Sequence, residues 1–189
     1  PLKDKEEFKE KAEKILAETR RYFIEQNLSL ELYLGFELSL DYSVLSDDNL
    51  SSFTLNQNGK YLLCELPFGA SLNLAEKIFY QLRLEGFIPI LAHVERAVFS
   101  EIEIQNLKRL VAMGVLLQVN AGSLVGLAGN KAKKLAENLL NLNLVHLMAS
   151  DSHDQKVRSY LTMPMSYSVC LKLVGEEKAL SLFEVNPRL

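Results

Sequence analysis

Between residues 60 and 149, short apolar runs alternate with longer amphipathic stretches, and this alternation constrains the fold more than any other feature. Lys60–Leu66, Phe87–Ala92, Val115–Val119 and Val145–Ala149 are apolar along most of their length, the pattern of strands covered on both faces. The stretches between them carry apolar residues at helical spacing. Asn73 with Glu76 three residues later forms a capping-box pattern that opens a helix burying Leu74, Ile78 and Leu82 and stopping at Gly86. Ile104, Leu107, Leu110 and Val111 stripe the next helix, ended by Gly114, and Asn130 caps a third that runs through Asn141. Upstream, residues 6–26 form an amphipathic helix striped by Phe8, Ala12, Ile15, Leu16, Thr19, Tyr22 and Phe23, and Leu30–Leu38 reads as a strand. Residues 165–184 read as two closing helices before Pro187. Strands of this kind alternating with helices imply a parallel sheet in one α/β domain over residues 1–189, either a barrel or a doubly wound sheet.

Composition narrows the chemistry. The formal charge of −3 is spread over interspersed acids and bases, with no basic stripe to neutralise a nucleic-acid backbone. No apolar run approaches the roughly 20 residues needed to span a bilayer, and the charged start Pro1-Leu2-Lys3-Asp4-Lys5-Glu6-Glu7 is not a signal peptide, so a cytoplasmic protein is expected. Cys64 and Cys170 sit in apolar stretches and suit buried thiols. Neither is followed six residues on by an arginine, which argues against a cysteine-based phosphate loop. The glycines of residues 121–129 fit neither a nucleotide P-loop nor a dinucleotide fingerprint and read as a flexible loop, while Met163 and Met165 read as packing residues.

Polar residues concentrate where the strands should end. In a parallel α/β barrel, groups at the carboxyl ends of strands face the site. Here those exits are Gly35-Phe36-Glu37, Glu65-Leu66-Pro67, Ala92-His93-Val94-Glu95-Arg96, Asn120 and Ser150-Asp151-Ser152-His153. Glu37, His93, Asp151 and His153 supply two carboxylates and two imidazoles, a donor set that suits Zn, Mn or Fe in a hydrolytic site. Asp151 and His153 are two apart and point to one side in extended backbone. Each has a plainer reading as a structural histidine, a loop carboxylate or a helix cap; their joint placement at one end of successive strands favours the site. His146 starts its strand, roughly 16 Å from Asp151 by strand rise, and is assigned a structural role. Arg96 and Arg158 are candidates to bind phosphate oxygens, with surface ion pairs as the alternative. Glu65 either orients a metal ligand or belongs to a buried ion pair, and Asn120 either binds substrate or closes a turn.

Leu91-Ala92-His93-Val94-Glu95-Arg96, Gln118-Val119-Asn120-Ala121-Gly122-Ser123-Leu124, Val145 through Asp154 and Asn186-Pro187-Arg188 together resemble a known family. They are similar to the PHP (polymerase and histidinol phosphatase) family, in particular its bacterial manganese-dependent protein-tyrosine phosphatases of capsular and exopolysaccharide synthesis. The resemblance implies a distorted seven-stranded α/β barrel with a divalent metal cluster, Mn foremost and Fe or Zn as alternatives. It implies that Glu37 bridges metals, that His93, Asp151 and His153 add ligands, and that Arg96 and Arg158 hold the substrate phosphate. The implied reaction is phosphomonoester hydrolysis by attack of metal-bound hydroxide on phosphorus, with a bacterial tyrosine kinase as the phosphotyrosine protein. Alternatives are a small phosphoester such as histidinol phosphate, or a non-catalytic binding domain of the same fold. The family's opening His-x-His strand, its Asp and its Thr-Pro-His turn do not precede Glu37, so a barrel lacking its N-terminal strands is expected in this chain, with an upstream segment completing it.

Overall fold

The computed structural model describes residues 2–46, 49–67, 70–96, 101–154 and 159–188. Five parallel strands form one sheet in sequence order: β1 (Glu37–Ser39), β2 (Tyr61–Glu65), β3 (Ile88–Leu91), β4 (Leu116–Asn120) and β5 (Leu147–Ala149). Register aligns Glu37 with Leu63, Cys64 with Leu91, Ile90 with Leu116, and Asn120 with Ala149. The crossovers carry α2 (Leu72–Leu84), α3 (Glu101–Ala112) and α5 (Asn130–Asn141). Helix α1 (Leu2–Glu25) precedes the sheet, the one-turn α4 (Ala121–Leu124) follows β4, and α6 (Thr162–Val174) and α7 (Glu176–Leu180) close the chain. No helix among the described residues is long and apolar enough to cross a membrane.

The period-2 alternation of the strands sorts their side chains. Leu62, Cys64, Leu91, Leu117 and Val119 are buried in one core with Ile78, Phe79 and Leu82 of α2, Leu107 and Leu110 of α3, and Leu139 of α5. The other side of the sheet lines a cavity of about 680 Å³ whose walls include Tyr33, Leu34, Tyr61, Ile90, Leu116 and Leu147.

Several elements depart from the sequence reading. The strand expected over Leu30–Leu38 is paired only from Glu37, because the preceding backbone bonds elsewhere: Arg20 donates to the Leu32 carbonyl and the Asn56 N–H donates to the Leu34 carbonyl at 2.6 Å. Glu37 therefore opens its strand rather than ending it. Helix α2 is capped by Ser71, whose side chain accepts the Leu74 N–H, and not by Asn73; α5 is preceded by Gly129, with Asn130 its first residue. Pro164 falls in the first turn of α6, where a missing N–H costs nothing, so the closing helix starts at Thr162.

Candidate metal centre

Strands β1, β2 and β3 bring three ligand candidates together, two carboxylates and an imidazole. His93 follows β3, and its Nε2 lies 3.0 Å from Glu37 Oε1 and 3.6 Å from Glu65 Oε2. One ligand atom from each of Glu37, Glu65 and His93 falls within 4.8 Å of the others, close enough to share one cation, and the nitrogen and oxygen donors fit a divalent ion. Glu65, left between two roles by the sequence, thus stands beside His93 as a ligand candidate. Burial pulls the His93 pKa down, but the Glu37 hydrogen bond and charge outweigh it and raise the pKa above the ordinary 6.5.

Asp151 and His153 follow β5 and form a second group. His153 Nδ1 is 2.9 Å from the Asp151 carbonyl and 3.5 Å from its Oδ1, while Arg96 Nη1 is 3.5 Å from Asp151 Oδ2. Asn120, at the end of β4, donates from Nδ2 to Asp151 Oδ2 at 2.9 Å. A cavity of about 180 Å³ is lined by Glu37, His93 and Asp151 together, so both groups open onto one space. A neighbouring cavity of about 150 Å³ is lined by Arg96, Asn120, Ser123 and Asp151. Arg158 lies outside the described residues.

Both ligand-bearing exits are conformationally unusual. His93 has φ of +35° and Asp151 of +49°, a left-handed region that residues with a Cβ seldom adopt and that is concentrated at ligand clamps.

Beneath these side chains runs a buried polar network of which the sequence reading gave a role only to Asn120. Gln118 Oε1 accepts the His93 backbone N–H at 2.6 Å, and Gln118 Nε2 donates to Asn120 Oδ1 at 2.8 Å. Glu95, only 1% exposed, accepts the Ser123 hydroxyl at 2.6 Å and the Asn120 N–H at 3.3 Å through Oε1, which ties the start of α4 to the turn after β3. Its Oε2 has no partner among the described residues, and burial raises its pKa. The signal available in the sequence was two amides and a carboxylate in otherwise apolar segments. His146 is structural, as expected: its Nδ1 accepts the Leu117 N–H at 3.1 Å, its carbonyl accepts Asn186 Nδ2, and burial holds its pKa down. Both cysteines are buried, and Cys64 is pushed up to about 12, which leaves no ready thiolate.

Parallel strands whose exits gather carboxylates, an imidazole and a guanidinium around a shared cavity define an α/β protein with a candidate divalent-cation centre. A family model described as "Capsular polysaccharide synthesis, CpsB/CapC" matches residues 2–189, and the chain belongs to that family. Tyrosine-protein phosphatase YwqE of Bacillus subtilis (strain 168) is 35% identical over 162 residues, 85% of this chain and 63% of the relative. Tyrosine-protein phosphatase CpsB of Streptococcus pneumoniae is 32% identical over 140 residues, 71% of this chain and 57% of the relative. A chain from the crystal structures of YwqE from Bacillus subtilis and CpsB from Streptococcus pneumoniae, described as unique metal-dependent tyrosine phosphatases, matches with a TM-score of 0.76 at 32% identity. That match covers 90% of this chain and 67% of the solved one. The chain spans less than two thirds of the length of these curated relatives.

Proposed function

We propose that this chain is the greater part of a cytoplasmic, metal-dependent phosphomonoesterase that dephosphorylates tyrosine on a bacterial tyrosine kinase of capsule or exopolysaccharide synthesis. The observation that carries this reading is the approach of Glu37 and Glu65 to His93 Nε2, at 3.0 and 3.6 Å, on a cavity shared with Asp151. Glu37, Glu65 and His93 hold one divalent cation, with Asp151 and His153 as further ligands; Mn suits this mixture of oxygen and imidazole donors, with Fe or Zn as alternatives. When bound, the cation supplies charge stabilisation to the phosphoryl group and acidifies a water at neutral pH. Arg96, always charged, presents a planar donor fork to phosphate oxygens, and Arg158 adds a second. Asn120 keeps one amide hydrogen beyond those given to Asp151 and directs it at the same phosphate. His93 must be neutral to bind the cation, so its proton is released to solvent as the cation binds.

The sheet's two outer strands support a larger architecture. β1 pairs only with β2, and β5 only with β4, among the described residues. In this reading, strands contributed by sequence beyond the 189 residues close the gap as a seven-stranded barrel and fill the cavity of about 680 Å³. The greater length of the relatives supports it.

The test is hydrolysis of a phosphotyrosine peptide by the chain extended to the length of its relatives, with Mn²⁺ and then with excess chelator. Activity that chelation abolishes and that Glu37→Gln lowers is the expected result. Activity indifferent to chelation contradicts the reading, and Mn²⁺ binding without turnover favours a non-catalytic binding domain.

A further inference from the structure

Gln118 is 6% exposed, lies at the middle of β4 and is flanked by the fully buried Leu117 and Val119. A buried amide in such a place needs partners for both its oxygen and its nitrogen. It finds them in the His93 backbone N–H, in the turn after neighbouring β3, and in Asn120 at the end of β4 itself, which in turn donates to Asp151 after β5. The four residues form a continuous relay from the turn after β3 to the turn after β5.

The direction of the relay is fixed by its first member. The His93 N–H can only donate, so the Gln118 oxygen must face it; turning the amide over would set donor against donor. The Gln118 NH₂ then faces Asn120, whose oxygen must receive it, and this leaves the Asn120 NH₂ for Asp151. One backbone hydrogen thereby determines that Asp151 meets a donor, the arrangement an ionised carboxylate requires. Serial amide bonds also polarise one another in the same sense. The ends of the relay are His93 and Asp151, the residues held at φ +35° and +49°.

We propose that Gln118 is a positioning residue that sets the placement of His93 relative to Asp151 and the polarity of the bonds between them, and through both the cation affinity of the centre. The inference rests on the metal-dependent reading of the site given above. Gln118 touches neither cation nor phosphate in this account.

The experiment is a titration of the full chain with MnCl₂, followed by paramagnetic broadening of the imidazole signals of its three histidines. Gln118→Met keeps the length of the side chain and removes both bonds. Gln118→Glu keeps an acceptor for His93 but turns the bond to Asn120 against itself, while adding negative charge near the site. Loss of a residue that orients metal ligands costs about 10- to 100-fold in affinity, and that loss is expected for Gln118→Met. Gln118→Glu is also expected to bind Mn²⁺ more weakly, although charge alone would tighten binding. Thermal unfolding without Mn²⁺ confirms that each titrated variant is folded; if one is not, the other decides. A folded variant that broadens His93 at the same Mn²⁺ concentration as the unmodified chain, or Gln118→Glu binding more tightly, overturns the proposal. An unmodified chain in which Mn²⁺ leaves His93 sharp overturns the metal reading itself, and the inference falls with it.

Discussion

His93 sits where two demands meet, because Glu37 favours its protonated form and it must be neutral to bind a cation. Its pKa is raised in the folded state, so the pair contributes stability fully below the ordinary 6.5 and loses it as pH rises through the higher folded value. Cation binding runs the other way and should tighten with pH across that window. Glu37→Gln removes the charge while its amide oxygen can still accept the Nε2–H, so the His93 pKa should fall; an NMR titration showing it unchanged would contradict the pairing. Glu95 shifts stability with pH in the same direction, in a lower window. Burial raises its pKa against the bonds from Ser123 and Asn120, so the folded chain holds its proton more tightly than the unfolded one, and stability falls as pH climbs from 4.5 to the raised value. Glu95→Gln should flatten that part of the melting-temperature profile. His93 and Asp151 were legible because ionisable residues at apolar strand exits are conspicuous; Glu37 was named on the same ground, although it opens its strand. Gln118 and Glu65 were not assigned as tightly, since cross-strand hydrogen bonding and the alternation of faces depend on register, which a single sequence does not state.

Among the elements, the longer helices and the last four strands were legible from periodicity and their ends less so, while the one-turn α4 falls in residues 121–129, which read as a loop. Asn73 and Ser71 are both competent caps, and only the entry of the chain from β2 decides between them; Ser71 wins. Its bond to the Leu74 N–H is long at 3.4 Å, so Ser71→Ala should cost about 0.5–1 kcal/mol in urea denaturation. A loss near zero would mean that water caps the helix equally well. The turn from α3 into β4 is more demanding. Gly114 has φ of +89°, and a Cβ there would stand 3.1 Å from the Arg83 guanidinium. Arg83 cannot readily withdraw, because it donates to the Met113 carbonyl at 3.1 Å and the Phe87 carbonyl at 3.0 Å, tying α2 to the next strand. Gly114→Ala should therefore cost about 1–3 kcal/mol, read by the same denaturation. The strand expected at Leu30–Leu38 failed for a reason outside its own composition: Arg20 and Asn56 occupy the carbonyls that a ladder would have used.

At the scale of the whole molecule, the parallel sheet does for the site what no single element does. Its common strand direction delivers Glu65, His93, Asn120 and Asp151 to one end although they are separated by up to 86 positions, from 65 to 151. The same sheet leaves its second face around a large cavity, which the apolar runs alone did not announce, since a strand facing a cavity and one facing a helix can share a composition. The central claim is that Glu37, His93 and Asp151 surround one cation-binding space. Anomalous diffraction at the manganese edge from crystals of the chain grown with MnCl₂ tests it most directly. The account predicts a peak in direct coordination with Glu37 and His93, on the cavity they share with Asp151. A peak elsewhere on the molecule, with that cavity holding only water, would contradict it.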